Sequence, residues 1–266
     1  MSSTTDASAG RAQIAERTLR TDRWWFPPLR DFTLLVLWVA YATVRAFQQD
    51  WYFTVDQNYS YLTPFYSPCF SVGCVPEASH FGQFLPDVWW LPYAAVTLPF
   101  LLLFRLTCYY YRKAYYRAFW LSPPACAVAE PHRKYTGETR FPLIFQNLHR
   151  YFFYLGLVFN VILTYDALHT LRVDGEWHMG LGTLVLFTNA ALLWLYSLSC
   201  HSCRHVMGGR LVHFSKHPVR YKLWTWVSKI NVNHARYAWL SLFSVALVDL
   251  YIWGLAAGWF DDPRFF

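Results

Sequence analysis

Five apolar stretches constrain this chain more than any other feature. They cover roughly residues 32–47, 88–111, 151–169, 180–199 and 237–260, close to the ~20 residues a helix needs to cross a bilayer. Lipid offers no partner for backbone N–H and C=O groups, so such stretches are expected as helices, which satisfy their own. The first is short and needs tilt, or an extension toward Tyr52 with Arg45 snorkelling outward. Pro92 and Pro99 predict a kink in the second. Charged residues make up 15% of the 266 residues, against about 25% in soluble domains, and the abundant Trp, Tyr and Phe suit membrane interfaces. The net charge of +7 would suit nucleic acid only as a basic face on a soluble fold. Here the basic residues alternate between loops, so no nucleic-acid partner is expected. The sequence predicts an all-α membrane protein, with a flexible tail over 1–23 and a domain of five transmembrane helices over 24–266. MSSTTDASAG has no apolar core followed by a cleavage site and is not a secretory signal.

Counting Lys and Arg gives five in 1–30, six in 112–148 and seven in 203–236, against none in 50–87 and one each in 170–179 and the C-terminal tail. Cytoplasmic loops carry the positive charge, so the N-terminus is expected in the cytoplasm and the C-terminus outside, in a multi-pass protein of the plasma membrane. The outer connection 50–87 holds ten aromatics. Exposing them to water would be costly, so part of this long loop is expected to re-enter between the helices. Pro64, Pro68, Gly73, Pro76 and Pro86 argue against a continuous helix there.

Two clusters carry possible chemistry. In the outer loop, Cys69 and Cys74 could form a disulfide, pack as inert thiols, or ligate a metal with His80, His169 and His178. On the inner side, SCHSCRHVMGG (199–209) puts His201 and His205 on one helical face and Cys200 and Cys203 on another. His149 opens the third stretch at that surface and His234 precedes the fifth. This end reads either as a basic interface or as a polar pocket for a head group or partner subunit, where Arg204 and His205 could hydrogen-bond a quinone carbonyl. Arg45, Asp166 and Asp249 lie within spans, where charges are costly. Arg45 and Asp249 read as an internal ion pair, while Asp166, beside Tyr165 and a turn from His169, reads as part of a proton path. Asn160 and Asn189 are expected to join helices. A haem needs axial histidines inside spans on different helices, and these histidines lie at the ends, so no haem is expected.

FRLTCYYYRKAYYRAFWLSPPACAVAEPHRKYTGETRFPL (104–143), YLTPFYSPC (61–69), SCHSCRHVMGG and NHARYAWLSLFSVALVDLY (233–251) resemble the membrane anchors of actinobacterial succinate dehydrogenases. The resemblance is to the single-anchor, haem-free type, similar to succinate dehydrogenase 1 of mycobacteria. It covers most of the chain from about Trp24 onward. It implies flavoprotein and iron–sulfur subunits as partners, electron delivery to menaquinone, and a Rieske-like [2Fe–2S] centre in the membrane part. Such a centre takes two Cys and two His. The candidates are Cys69 and Cys74 with two of His80, His169 and His178, or else Cys200, His201, Cys203 and His205. The quinone pocket is expected around Tyr165, Asp166 and Arg172, with Trp89 and Trp90 as walls, or at Ser202, Arg204 and His205. Arg112, Lys113 and Arg117, among tyrosines, are expected to dock the iron–sulfur subunit. The alternatives are a haem-binding cytochrome of another oxidoreductase, or a non-redox membrane protein whose outer cysteines form a disulfide.

Overall fold

The apolar stretches fold as helices, though not as five uninterrupted spans. The computed structural model describes residues 20–56, 59–75, 79–86, 88–128, 131, 139–141, 143–173 and 175–266. Among them, three helices are long and apolar enough to cross a membrane: Leu143–His169, Leu181–Leu198 and His234–Ala256. Helix α1, Phe26–Gln48, has 23 residues but is not one of the three. The second expected crossing is divided. Residues 88–92 form a turn and a bridge rather than helix, and α2 starts at Tyr93 and runs to Leu106. Pro92 stands just before that start, where a missing N–H costs nothing. Helix α3, Tyr109–Tyr115, begins anew after an extended Cys108 and passes into a π-helical turn at Tyr116–Trp120. Counting this interrupted pair as one span gives up to four candidate crossings among the described residues.

The residues divide into two compact units, 1–40 with 106–147 and 41–105 with 148–266. In the first, Phe32 packs on Phe119 at 4.8 Å between ring centroids. The Arg20 guanidinium donates to the Cys126 carbonyl at 2.7 Å, and the Gln146 amide donates to the Tyr115 hydroxyl at 2.7 Å.

The second unit is built on α4 (His149–His169), α5 (Leu181–Leu198) and α8 (His234–Ala256), with the short α6 (His201–Gly208) and α7 (Pro218–Asn231) between the last two. Helix α5 packs against both α4 and α8. Polar groups fix these contacts where apolar packing alone would let helices slide. Asn160 donates to the Ser197 hydroxyl at 2.8 Å, and Ser244 donates to the Asn189 carbonyl oxygen at 2.7 Å. Arg45 and Asp249 form an ion pair at 2.7 Å with both side chains fully buried. Tyr41 donates to the same carboxylate at 2.5 Å, and the Trp253 ring lies 4.6 Å from the guanidinium carbon. The ion pair expected from the sequence is present.

The chain is mostly helical, as expected, and among the described residues the loops add three short strand pairs. Strands β1 (Phe53–Asp56) and β2 (Tyr59–Leu62) pair antiparallel. Strand β3 (Pro68–Ser71) runs parallel to β4 (Ser79–Leu85), with Cys69 opposite His80, and β5 (Arg172–Val173) pairs with β6 (Glu176–Trp177). Aromatic and β-branched residues favour such pleated segments. All residues from Tyr61 to Cys69 are buried. Tyr66 reaches the Arg45 and Ala46 carbonyls at 2.9 Å, which ties this stretch to the end of α1. The C-terminal segment forms a clasp over the start of α5. The Leu181 N–H donates to the Pro263 carbonyl. The buried Asp262 carboxylate accepts from Tyr61 at 2.8 Å, Tyr251 at 2.5 Å and the Gly182 N–H at 2.9 Å.

Candidate functional site

At one end of α4, the structure joins Cys69 and Cys74 in a disulfide, the first of the three readings of that pair. Cys69 is fully buried. The side chain of His80 lies outside the described residues. His169 is exposed, with its ring 6.0 Å from that of Tyr165, and the His178 N–H donates to the Leu171 carbonyl. Asp166 is buried and accepts a short hydrogen bond from the Ser67 hydroxyl. It also lines a cavity of about 10 Å³ with Ser60, Leu62, His169, Thr170 and Leu186, roughly the room that one water needs. Tyr165 is 57% exposed, about 100° round the helix from buried Asp166, and Arg172 is exposed beside the Gly175 carbonyl at 3.4 Å. Tyr165, Asp166 and Arg172 are therefore not gathered around one volume. Trp89 and Trp90 are both largely exposed.

The other end of α4 is different. Ser197 to Cys200 close α5 and open α6, and Cys200 stands at the N-cap of α6 in extended backbone. That start puts Cys200 and Cys203 on one side of the first turn, and both thiols are 1% exposed. The His149 Nε2 atom lies 3.0 Å from the Cys200 Sγ. His234, also 1% exposed, has its Nδ1 atom 2.8 Å from the Ser199 hydroxyl and its ring 6.4 Å from that of His201. Asn231 donates to the Ser199 carbonyl at 2.6 Å, which fixes the turn that carries the hydroxyl.

Aromatic rings pack on both imidazoles, the half-buried His149 and the buried His234. Phe104 stacks on His149 at 5.3 Å, and Tyr196 stacks on His234 at 5.1 Å with planes only 7° apart. Burial pushes the Cys203 thiol above its ordinary pKa. Burial first, and then the Arg204 guanidinium, hold His201 below its ordinary value. Arg204 donates to the Ser228 hydroxyl at 3.0 Å and lies 5.0 Å from the Trp224 ring. Ser202 is partly buried, with its N–H 3.4 Å from the Cys200 sulfur. His205 is exposed and meets Arg150 at 2.8 Å.

Cys200 and Cys203 thus come together as their spacing suggests, while His201 is exposed beside the His234 ring. His205 turns away toward Arg150. His149 and His234 take its place, brought in from α4 and α8. The signal for them lay in their positions, since each opens a helix at the end where the Cys-His run sits. Two buried thiols with adjacent imidazoles can bind borderline or soft metals. Among the described residues, no three of His, Cys, Asp or Glu surround the position of a single ion.

The comparisons agree with one another. Residues 26–258 match the family model described as actinobacterial succinate dehydrogenase subunit SdhC. A chain of the Mycobacterium smegmatis Sdh1 complex in the apo form is 58% identical, with a TM-score of 0.88 and 96% of each chain covered. No curated protein matches the chain.

Proposed function

The chain belongs to the actinobacterial succinate dehydrogenase SdhC family, and from that premise we propose that this membrane subunit passes electrons from an iron–sulfur partner to menaquinone. Succinate is oxidised on the flavoprotein subunit. The centre that serves the transfer is a Rieske-like [2Fe–2S] cluster at the His149 end. The observation that carries this reading is the His149 imidazole 3.0 Å from the buried Cys200 thiol, with Cys203 on the same helical turn and His234 nearby.

The donor set fits. A Rieske centre takes two thiolates on one iron and two imidazoles on the other, so each iron draws on two side chains and needs no group of three around a single ion. Cys200 and Cys203 supply the sulfurs, and His149 and His234 supply the nitrogens. The Ser199 hydroxyl at Nδ1 fixes the His234 ring, the usual duty of an outer partner. Phe104 and Tyr196 cover the flat faces of both imidazoles and keep water away. When bound, such a centre stores and releases one electron. The Cys69–Cys74 pair has no thiolate to offer while it is joined.

Quinone reduction is proposed beside this end, at Ser202, Arg204 and His205. Arg204 follows Cys203 directly and presents its guanidinium along Trp224, a flat wall of the kind a quinone ring requires. The cavity at Asp166 has room for only about one water. Arg112, Lys113 and Arg117, interleaved with tyrosines, are the proposed docking surface for the iron–sulfur subunit, since aromatic and Arg side chains dominate such interfaces.

Iron and acid-labile sulfide measured on the purified complex test the assignment. Cys200→Ser is expected to remove the membrane-bound cluster and quinone reduction while succinate still reduces a soluble acceptor. Full cluster content in that variant, with loss in His169→Ala/His178→Ala, would move the centre to the opposite end.

A further inference from the structure

Helix α7 comes between α5 and α8, both long and apolar enough to cross a membrane, and ends three residues before α8 begins. One of its sides is fixed to α6. Arg220 donates to the Met207, Gly209 and Val206 carbonyls at 3.0, 3.2 and 3.3 Å. Ser228 accepts from Arg204 at 3.0 Å, Trp224 lies against Gly208, and Val227 is 1% exposed. At 100° per residue these positions share that side. The opposite side is bare. Val219, Leu223, Trp226 and Ile230 recur there at helical spacing, and the first three are 70%, 43% and 48% exposed. Lys222 and Lys229, seven residues apart and both exposed, run along one edge of this apolar stripe. Among the described residues, neither ammonium meets a carboxylate. The chain has no Asp or Glu from 177 to 248, so nothing nearby in sequence offsets these charges.

We infer that α7 lies in the membrane surface and binds anionic phospholipid on its bare side. Acyl chains cover the apolar stripe, and a head-group phosphate accepts from Lys222 and Lys229. An apolar stripe bordered by lysines is the pattern of a helix that rests in a bilayer interface. The short link to α8 holds α7 at the level where a span leaves the lipid, and Trp226 suits that level. Uncovered by lipid, the stripe would stand in water at a cost. The paired ammonium groups favour an anionic head group over a zwitterionic one, because a negative surface attracts each of them. This binding is independent of where the cluster lies.

The test places the whole complex in phosphatidylcholine nanodiscs with a trace of phosphatidylglycerol that carries a photoactivatable group near its phosphate. Cross-linking to the peptide 218–231, read by mass spectrometry, then follows affinity. Each lysine near an anionic surface contributes about fivefold in binding. Lys222→Gln/Lys229→Gln is therefore expected to cut the labelling roughly 25-fold. Lys222→Arg/Lys229→Arg, which keeps both charges, is expected to stay near the parent. Phosphatidylcholine with the same reactive group is expected to label all three proteins weakly and alike. Parental labelling in the Gln variant overturns the inference, as does an Arg variant that falls as far as the Gln variant. Equal labelling of the parent by both lipids also overturns it. Labelling by neither lipid would give this side of α7 to a protein partner and overturn it too. If the Gln variant fails to assemble, the parent decides. Salt screens attraction between exposed charges, so raised salt is expected to cut phosphatidylglycerol labelling and leave phosphatidylcholine labelling unchanged. Phosphatidylglycerol labelling that ignores salt overturns the inference.

Discussion

At one end of α4, Cys69 and Cys74 sit in a loop broken by proline and glycine, and close on each other. At the other, Cys200 and Cys203 open a helix and are joined in no disulfide, with the imidazole of His149 against the first of them. Each end has two cysteines and nearby histidines, so composition does not separate them. Backbone does. A loop able to bend lets two sulfurs meet, and the pair then ties down the chain around it. A helix start fixes two thiols on one side, where neighbouring helices can bring imidazoles. The Cys69 end ties the fold together, and the Cys200 end carries the proposed ligand site.

Cysteine replacement sharpens this contrast most. Cys203→Ala is expected to cut quinone reduction by more than the ~10–100-fold that loss of an outer partner costs at a metal site. Succinate oxidation by a soluble acceptor should continue. The double change Cys69→Ala/Cys74→Ala is expected to keep quinone reduction close to the parent rate and to cost about 2 kcal/mol of thermal stability. Parallel assays of both reactions on both variants decide it. A double variant that is well folded but inactive toward quinone breaks the contrast.

The buried ion pair comes next. Asp249→Asn leaves the Arg45 cation buried without its carboxylate, a change that typically costs about 3–5 kcal/mol. The expected result is a poor yield of assembled complex, in which the surviving molecules keep a normal cluster signal. A changed signal in a well-assembled variant would show that this end reaches the redox chemistry after all.

A smaller effect is expected at Gly156 on α4. A Cβ there would stand 2.8 Å from Cδ1 of Phe104, the ring stacked on His149. Gly156→Ala is expected to cost about 1–3 kcal/mol through overpacking. It should also broaden the cluster signal, because the ring that holds His149 must move. An unchanged signal at reduced stability would make Phe104 a packing residue only.

The smallest effect concerns pH at the Cys69 end. Burial, the largest cause, pushes the Tyr66 phenol up to about 12, partly offset by the Gln49 N–H that donates to it. Its unfolded value is about 10. A group whose folded pKa is raised contributes stability that is complete below the unfolded value and lost as pH rises through the folded one. Thermal stability is therefore expected to decline between about pH 10 and 12, and the decline should be weaker in Tyr66→Phe. An equal decline in that variant would assign it to another group.

Helices α5 and α8 could be read from the chain because each is a long apolar run without a breaker. The break at Thr107 could not, because the tyrosines and arginines beyond it continue a plausible crossing, and only tertiary context ends the helix there. The hairpins carried a local signal in Phe53-Thr54-Val55 and Tyr59-Ser60-Tyr61, but the prolines and glycines around them also describe an irregular loop. At the site, Cys200 and Cys203 were readable as one side of a helical turn. His205 was drawn in by the same periodicity, yet Arg150 holds it outside. His149 stands 51 residues from its thiol, and spacing carries no information over that distance. What the sequence did offer was its place at the matching end of a helix.

The clasp made by Asp262 also sets a timetable. Tyr61 and its carboxylate partner are 201 residues apart in the chain. At about 5–20 residues made per second, the tyrosine waits roughly 10–40 s for the hydrogen bond that holds it. During that interval the stretch from Tyr61 to Cys69 has no closed bundle to lie in, and its aromatic side chains are open to wrong contacts. A ribosome stalled between residues 256 and 262 leaves a chain with its last span translated and this closure missing.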